Sequence, residues 1–175
     1  MLKYIGLVLV IAIAALLLYA TTRPGTLRIE RTATMQAPPE KIFTLVDDFH
    51  NWQAWSPWEK LDPAMKKTYS GPSSGEGAIY EWDGNSKAGK GRMEILHDAN
   101  PSNVAIQLDF IKPFEGHYIT ELTMVPSGNA TTVTWTMTGP SPYTQKLIGI
   151  FMGMDKMVGG DFETGLANLK TLAEK

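Results

Sequence analysis

A chain of 175 residues corresponds to one domain of ordinary size, with volume for a real core. Its net charge of −2 and the absence of any Lys/Arg block argue against a nucleic-acid partner. With no cysteine, disulfides, thiolate catalysis and cysteine metal ligands are excluded.

The first predicted element is an apolar helix. Tyr4 to Ala20 is a run of 17 uncharged residues, nearly all Leu, Ile, Val or Ala, following Lys3. At about 1.5 Å per residue it reaches about 25 Å, enough to span a thin bilayer. A cleaved signal peptide competes with this reading. Leu18-Tyr19-Ala20, however, places Leu where cleavage wants a small residue, and the run is long for a signal centre. Residues 1–25 are therefore expected to be an uncleaved membrane anchor with a short linker, and residues 26–175 the folded domain. Lys3 on one side and Arg23, Arg28 and Arg31 on the other leave the positive-inside count undecided. A very short N-terminal tail that stays in the cytoplasm puts the domain on the extracytoplasmic side of the inner membrane.

From Leu27 to Met35, Leu27, Ile29, Ala33 and Met35 alternate with polar residues, the period of a half-buried strand. Arg31 falls on the apolar parity; its stem is expected to cover the core while its head reaches water. Pro38-Pro39 ends the strand, and Ile42, Phe43, Leu45 and Val46 form a short amphipathic helix. A second short helical segment follows, with Trp52, Trp55 and Trp58 at i, i+3 and i+6. Indoles three apart share a face, so this cluster is expected to close an apolar cavity near its entrance; plain core packing is the alternative.

Antiparallel punctuation follows. Met65–Ser70 reads as a strand, and Tyr80 and Trp82 share a face before a turn at Asp83-Gly84-Asn85-Ser86. Met93 and Ile95 share a face with His97 on the same parity. Val104, Ile106, Leu108 and Phe110 alternate cleanly, as do Tyr118, Thr120, Leu122 and Met124, and then Val133, Trp135 and Met137. This is a meander with one wet side. Ser141-Pro142 opens a final helix whose stripe is Leu147, Phe151, Met154, Val158, Phe162, Leu166 and Leu169. Glycines interrupt the stripe, and a kink is expected near Gly159-Gly160.

The order strand, two short helices, six strands and one long helix, with APPEKIF, W-x-x-W-S-P-W and FMGMDKMVGGDFETGLANL in place, resembles the SRPBCC or START-like superfamily. The resemblance covers about Leu27 to Leu172 and is nearest to the branch labelled polyketide cyclase/dehydrase and lipid transport. It implies an α+β helix-grip fold: a curved antiparallel sheet wrapped around a long C-terminal helix, here preceded by one transmembrane helix. It also implies an apolar cavity between sheet and helix. Strand parity sends Tyr80, Trp82, Met93, Leu108, Phe110, Tyr118, Thr120, Trp135 and Met137 inward. Leu147, Phe151 and Met154 face them, with Trp52 and Trp55 beside the entrance. A filled core built from the same residues is the alternative.

Motifs for chemistry are scarce. Gly71-Pro72-Ser73-Ser74-Gly75 matches G-x-S-x-G but is followed by a strand, not by the helix a nucleophile elbow requires. His50, His97 and His117 lack metal-ligand spacing, and Glu81, Asp109 and Glu121 fall on the outward parity. No catalytic residue, metal or cofactor is assigned. The function expected is membrane-tethered binding of a small apolar molecule, lipid-like or polyketide/isoprenoid-like, with the bilayer contacted through residues 4–20. The alternatives are a cyclase or hydratase acting on such a ligand, and a protein-interaction module with a vestigial cavity. Oligomeric state is left open.

Overall fold

In the computed structural model, residues 2–175 are described; the side chains of Leu2, Lys3, Phe151, Met152 and Met154 lie outside the description. The expected positions Phe151 and Met154 therefore have no side-chain placement. Helix α1 (Leu2–Thr21) precedes strand β1 (Thr26–Met35) and helix α2 (Pro39–Val46). The Trp segment forms two short 3-10 helices, Phe49–Ala54 and Pro57–Lys60. Six strands follow: β2 (Lys66–Ser70), β3 (Ile79–Asp83), β4 (Lys90–Ala99), β5 (Asn103–Lys112), β6 (Gly116–Ser127) and β7 (Ala130–Pro140). Helices α3 (Tyr143–Met152) and α4 (Met154–Ala173) close the chain.

All seven strands form one antiparallel sheet in the order β1-β7-β6-β5-β4-β3-β2. Consecutive hairpins build β2 to β7, and β1 closes on β7 with Arg31 opposite Trp135. The alternation read from the chain decides which face is covered. Ile29 and Met35 of β1, Ile95 of β4, Ile106 of β5, Leu122 of β6 and Val133 of β7 are fully buried. From the helix side, Phe162, Leu166 and Leu169 of α4 meet them, with Ile42, Phe43 and Val46 of α2. The outer face of β1 and β7 is studded with threonines; Thr32 and Thr134 hydrogen-bond across it at 3.0 Å.

Three expectations are corrected. His97 does not point inward, because β4 carries a bulge. Ile95 pairs with Ile106, but His97 pairs with Ala105, so the extra residue Leu96 inverts the parity after it. His97 ends up exposed, 3.9 Å from Glu76. The C-terminal helix is two helices rather than one, and the break is at Gly153, in the left-handed conformation at φ 59° and ψ 61°. That conformation favours glycine.

The expected kink at Gly159-Gly160 is absent: both residues sit inside α4. Gly159 serves a contact instead. A Cβ built on it would lie 2.0 Å from Arg31 Nη2, so the guanidinium crosses the helix where a side chain would be. Arg31 Nε donates to Glu163 Oε1 at 2.7 Å, and Nη2 donates to Asp155 Oδ2 at 3.1 Å. The two carboxylates stand on either side of the glycine gap and raise the pKa of the guanidinium, Asp155 first. The side chain is 23% exposed, its stem on the core side and its head clamped at the surface, as its parity requires.

Candidate functional site

Burial along the concave face runs in a gradient. At the end of the sheet holding the 71–77 loop, Ala78, Ile95, Val104, Leu122 and Val133 are fully buried. Toward the opposite end, Trp82, Leu108 and Phe110 point to the same face yet remain partly exposed. The helices explain the difference. Helix α4 lies on β1 and β7, whereas α3, redirected at Gly153, has its main contacts with α1 and not with the sheet. The strand ends beneath α3 therefore have no closely packed helix above them.

The closed end is filled by aromatic rings. Trp135 stacks on Phe162 with centroids 4.2 Å apart and planes 8° from parallel. Trp55 and Trp52 meet Trp135 edge-on at 5.4 and 6.0 Å, and Trp58 does so at 5.7 Å. The indole N–H of Trp52 donates to Val46 O at 2.8 Å, and that of Trp55 donates to Leu45 O at 3.0 Å. Both bonds satisfy carbonyls at the end of α2 that the helix itself leaves free. Trp135 Nε1 donates to Thr120 Oγ1 at 2.8 Å, and Thr120 donates onward to Thr136 O at 3.0 Å. Trp52 and Trp55 are thus placed in a solid core and not at an entrance, which corrects that expectation. Trp135 and Thr120 belong to the same packed body.

The open end carries a ribbon of rings that spans five strands, from β2 to β6, with β4 contributing none. Tyr69 meets Tyr80 at 5.2 Å, Tyr80 stacks with Trp82 at 5.9 Å, Trp82 meets Phe110 edge-on at 6.0 Å, and Phe110 meets Tyr118 at 6.0 Å. Glycines set the height of this floor. A Cβ on Gly91 would lie 2.4 Å from the Trp82 ring, and one on Gly139 would lie 2.4 Å from Tyr118. Both rings pack against bare backbone where a side chain would otherwise stand. Trp82 Nε1 is held by Ala88 O at 3.0 Å. Tyr118 Oη donates to Gln145 Oε1 of α3 at 3.1 Å, a single polar stitch between floor and roof. Met93 and Met137, on the same face of the sheet, are buried, and Leu147 of α3 is half-buried.

A hollow of about 300 Å³ opens at the rim of this end. Gly25, Gly116, Tyr118, Pro140, Ser141 and Gln145 line it, where the α1–β1 linker, the ends of β6 and β7 and the start of α3 converge. Of the residues expected to contact a ligand, Tyr118 lines it. A shallower hollow of about 450 Å³ lies nearby over Leu27, Arg28, Ile119 and Thr138.

One polar constellation was not anticipated. The Glu59 side chain is 7% exposed and pairs with Lys67. Its Oε1 accepts from Tyr80 Oη at 2.7 Å, on the aromatic ribbon itself. Burial first, and then Glu59, push the Tyr80 hydroxyl far above the usual phenol range, so it stays a donor. The signal in the chain was Lys67, which sits on the inward parity of β2 opposite Trp82 and needs a buried partner. The arrangement pins the second 3-10 helix to β2 and β3. Among the described residues no group of His, Asp and Glu side chains is placed to hold a metal.

This architecture has many solved counterparts. The di-domain ARO/CYC BexL from the BE-7585A biosynthetic pathway superposes with a TM-score of 0.65 at 14% identity, over 90% of this chain and 53% of that one, so this chain spans about half its length. The Aha1 dimer from Colwellia psychrerythraea gives 0.61 at 15% identity, over 85% and 96% of the two chains. A protein from Chromobacterium violaceum gives 0.59 at 17% identity, over 87% and 99%. At these identities the likeness is one of fold. No curated protein matches the chain in sequence. The sequence profile of one family, described as polyketide cyclase / dehydrase and lipid transport, matches residues 26–174. Nearly the whole folded domain is covered by that match, and the chain belongs to this family.

Proposed function

We propose that the chain is a membrane-tethered binding protein for a small apolar molecule, held at the open end of the grip. The observation that carries this reading is the packing of α3 on α1, which leaves Trp82, Leu108 and Phe110 partly exposed on the concave face. A ligand seated over Trp82, Leu108, Phe110 and Tyr118, under Leu147, would bury ring faces below it and an aliphatic side chain above, worth about 25 cal/mol per Å² of apolar surface. Tyr118 and Gln145 at the mouth offer one hydrogen-bonding position to a ligand hydroxyl or carbonyl. Residues 1–25 are the tether and residues 26–175 the binding domain. The apolar window Tyr4–Thr22 supports the tether, being almost wholly uncovered by protein. The domain lies outside the inner membrane; a reporter fused after Lys175 that is active only in the cytoplasm would reverse that orientation.

The test is to purify the full chain and extract it for mass spectrometry, alongside Leu108→Trp, which fills the floor. The wild-type chain should release an apolar compound or bind a fluorescent fatty acid, and the variant should bind about tenfold less, a loss of about 1.4 kcal/mol. An empty wild-type chain that takes up no hydrophobic probe overturns the reading.

A further inference from the structure

We infer that the open end of the domain docks face-on against an anionic lipid bilayer, so that the mouth of the site is held at the membrane surface and not merely tethered near it. The inference rests on the reading of α1 as a membrane span. Three independent features place the same end of the molecule in the same plane.

The first is where α1 meets the domain. Tyr143 Oη, at the start of α3, donates to Leu17 O at 3.0 Å, and Ser141 N donates to Gly25 O at 2.8 Å. Ala20 is fully buried by this junction, while the helix from Tyr4 to Leu18 is largely bare. Arg23 lies 4.9 Å over the Tyr19 ring. An aromatic residue and a cation at the end of a span are the usual marks of the headgroup level. Leu17 is two residues deeper than Tyr19, about 3 Å at helical rise, so Tyr143 sits at the boundary between headgroups and acyl chains.

The second is apolar exposure at this level. The end of β5 carries Ile111 and the turn from β5 to β6 carries Phe114, which is 73% exposed. That turn runs into Glu115 and Gly116 of the rim hollow, beside Gly25 and Pro142. Tyr143 and Ile148 of α3, the helix that begins at this rim, are exposed as well. A tip with a bare Phe beside a span end is matched by a lipid interface, where an aromatic ring is stable.

The third is charge. Lys66, Lys90 and Lys112, at the ends of β2, β4 and β5, gather around Asp83 and together lower its pKa, Lys90 most. Lys87 adds to them in the adjoining β3–β4 loop. The opposite end of the sheet carries Asp47, Asp48, Glu76 and Asp98, and burial with the Asp98 and Asp48 charges pushes the Asp47 carboxyl up to about 6. Asp83, paired with Lys90 at 2.8 Å, and Glu115 at the rim hollow offset part of this charge, so the end toward α1 is basic by a small excess while the far end is acidic. Near an anionic surface these lysines are attracted, and the acidic end is repelled.

The chain contains no cysteine, so single probes are placed without background. The full chain in nanodiscs of phosphatidylcholine, with or without phosphatidylglycerol, is labelled with an environment-sensitive fluorophore at Phe114→Cys, Ile148→Cys, Val125→Cys or Leu9→Cys. Brominated lipid is the quencher. Val125 is exposed near the far end of β6, and Leu9 lies mid-span. Quenching at positions 114 and 148 should approach that at position 9 and exceed that at 125 severalfold. The combined Lys66→Glu and Lys112→Glu change should remove the part that depends on phosphatidylglycerol. If position 114 is no better quenched than 125 while 9 is quenched, the docked face is wrong and the span stands. An unquenched position 9 removes the span and the docking together. A chain that binds no apolar ligand yet shows the expected quenching overturns the proposed function and leaves the docking intact. Phosphatidylglycerol dependence that survives the Lys changes overturns the role of the basic collar.

Discussion

The two ends of one concave sheet face differ in how they are covered, and the difference shows what a helix-grip fold has to do to make room. At the closed end, α4 lies along β1 and β7, Arg31 clamps Asp155 and Glu163 across Gly159, and four tryptophans with Phe162 fill the interior. At the open end the floor is just as aromatic, but its rings pack against Gly91 and Gly139, and the helix above has turned away at Gly153. Composition does not separate the sealed end from the open one here. What separates them is whether a helix follows the strands to their ends.

The comparison can be broken most directly by truncating one ring at each end. Trp135→Ala should cost about 3–5 kcal/mol in chemical denaturation, since a fully buried ring and the Thr120 hydrogen bond go together. Phe110→Ala should cost only about 1–2 kcal/mol, because part of its surface is already in water. Equal losses would mean that the open end is packed as tightly as the closed one.

A smaller effect sharpens the charge contrast along the strands. The Asp47 carboxyl, at about 6, lies above its unfolded value of about 3.9. The folded state therefore holds the proton more tightly. The penalty is absent below about pH 4, develops as pH rises through 6, and is complete at neutral pH. Asp47→Asn should stabilise the chain at pH 7 by about 1–2 kcal/mol, allowing for solvent screening, with no gain near pH 4. Melting curves at the two pH values decide it.

The smallest effect separates two neighbouring glycines. Gly160 has nothing within 4 Å of a built Cβ, so Gly160→Ala should stabilise α4 by about 1 kcal/mol. Gly159→Ala gains the same helix propensity but must expel the Arg31 guanidinium, and should give no net gain in the same melt. A stabilised Gly159→Ala chain would show that the Arg31 clamp contributes little to closing this end.

Where the chain itself was legible, the reason is that the relevant pattern is local. Alternation over five or more residues specifies a strand and its covered face, because side chains point to opposite faces at every step. That is why the strands from β1 to β7, and the inward set from Tyr80 to Met137, are legible in the chain itself. The apolar window at the N-terminus is legible for the same reason. The parity of His97 was not, since a bulge is set by how β4 registers against β5 and not by β4 alone.

The break at Gly153 was also out of reach. Gly149, Gly153, Gly159, Gly160 and Gly165 are equivalent in a helical pattern, and only the tertiary path assigns one to a left-handed turn and another to an arginine's passage. The burial of Glu59 is likewise decided by distant residues, Lys67 and Tyr80, which close around it. By itself, then, the sequence determined the family, the sheet and which side chains face inward, because these follow from short-range periodicity. Only the tertiary structure decided which inward residues are sealed and which stay open, because that depends on where α3 and α4 lie over strand ends distant in the chain.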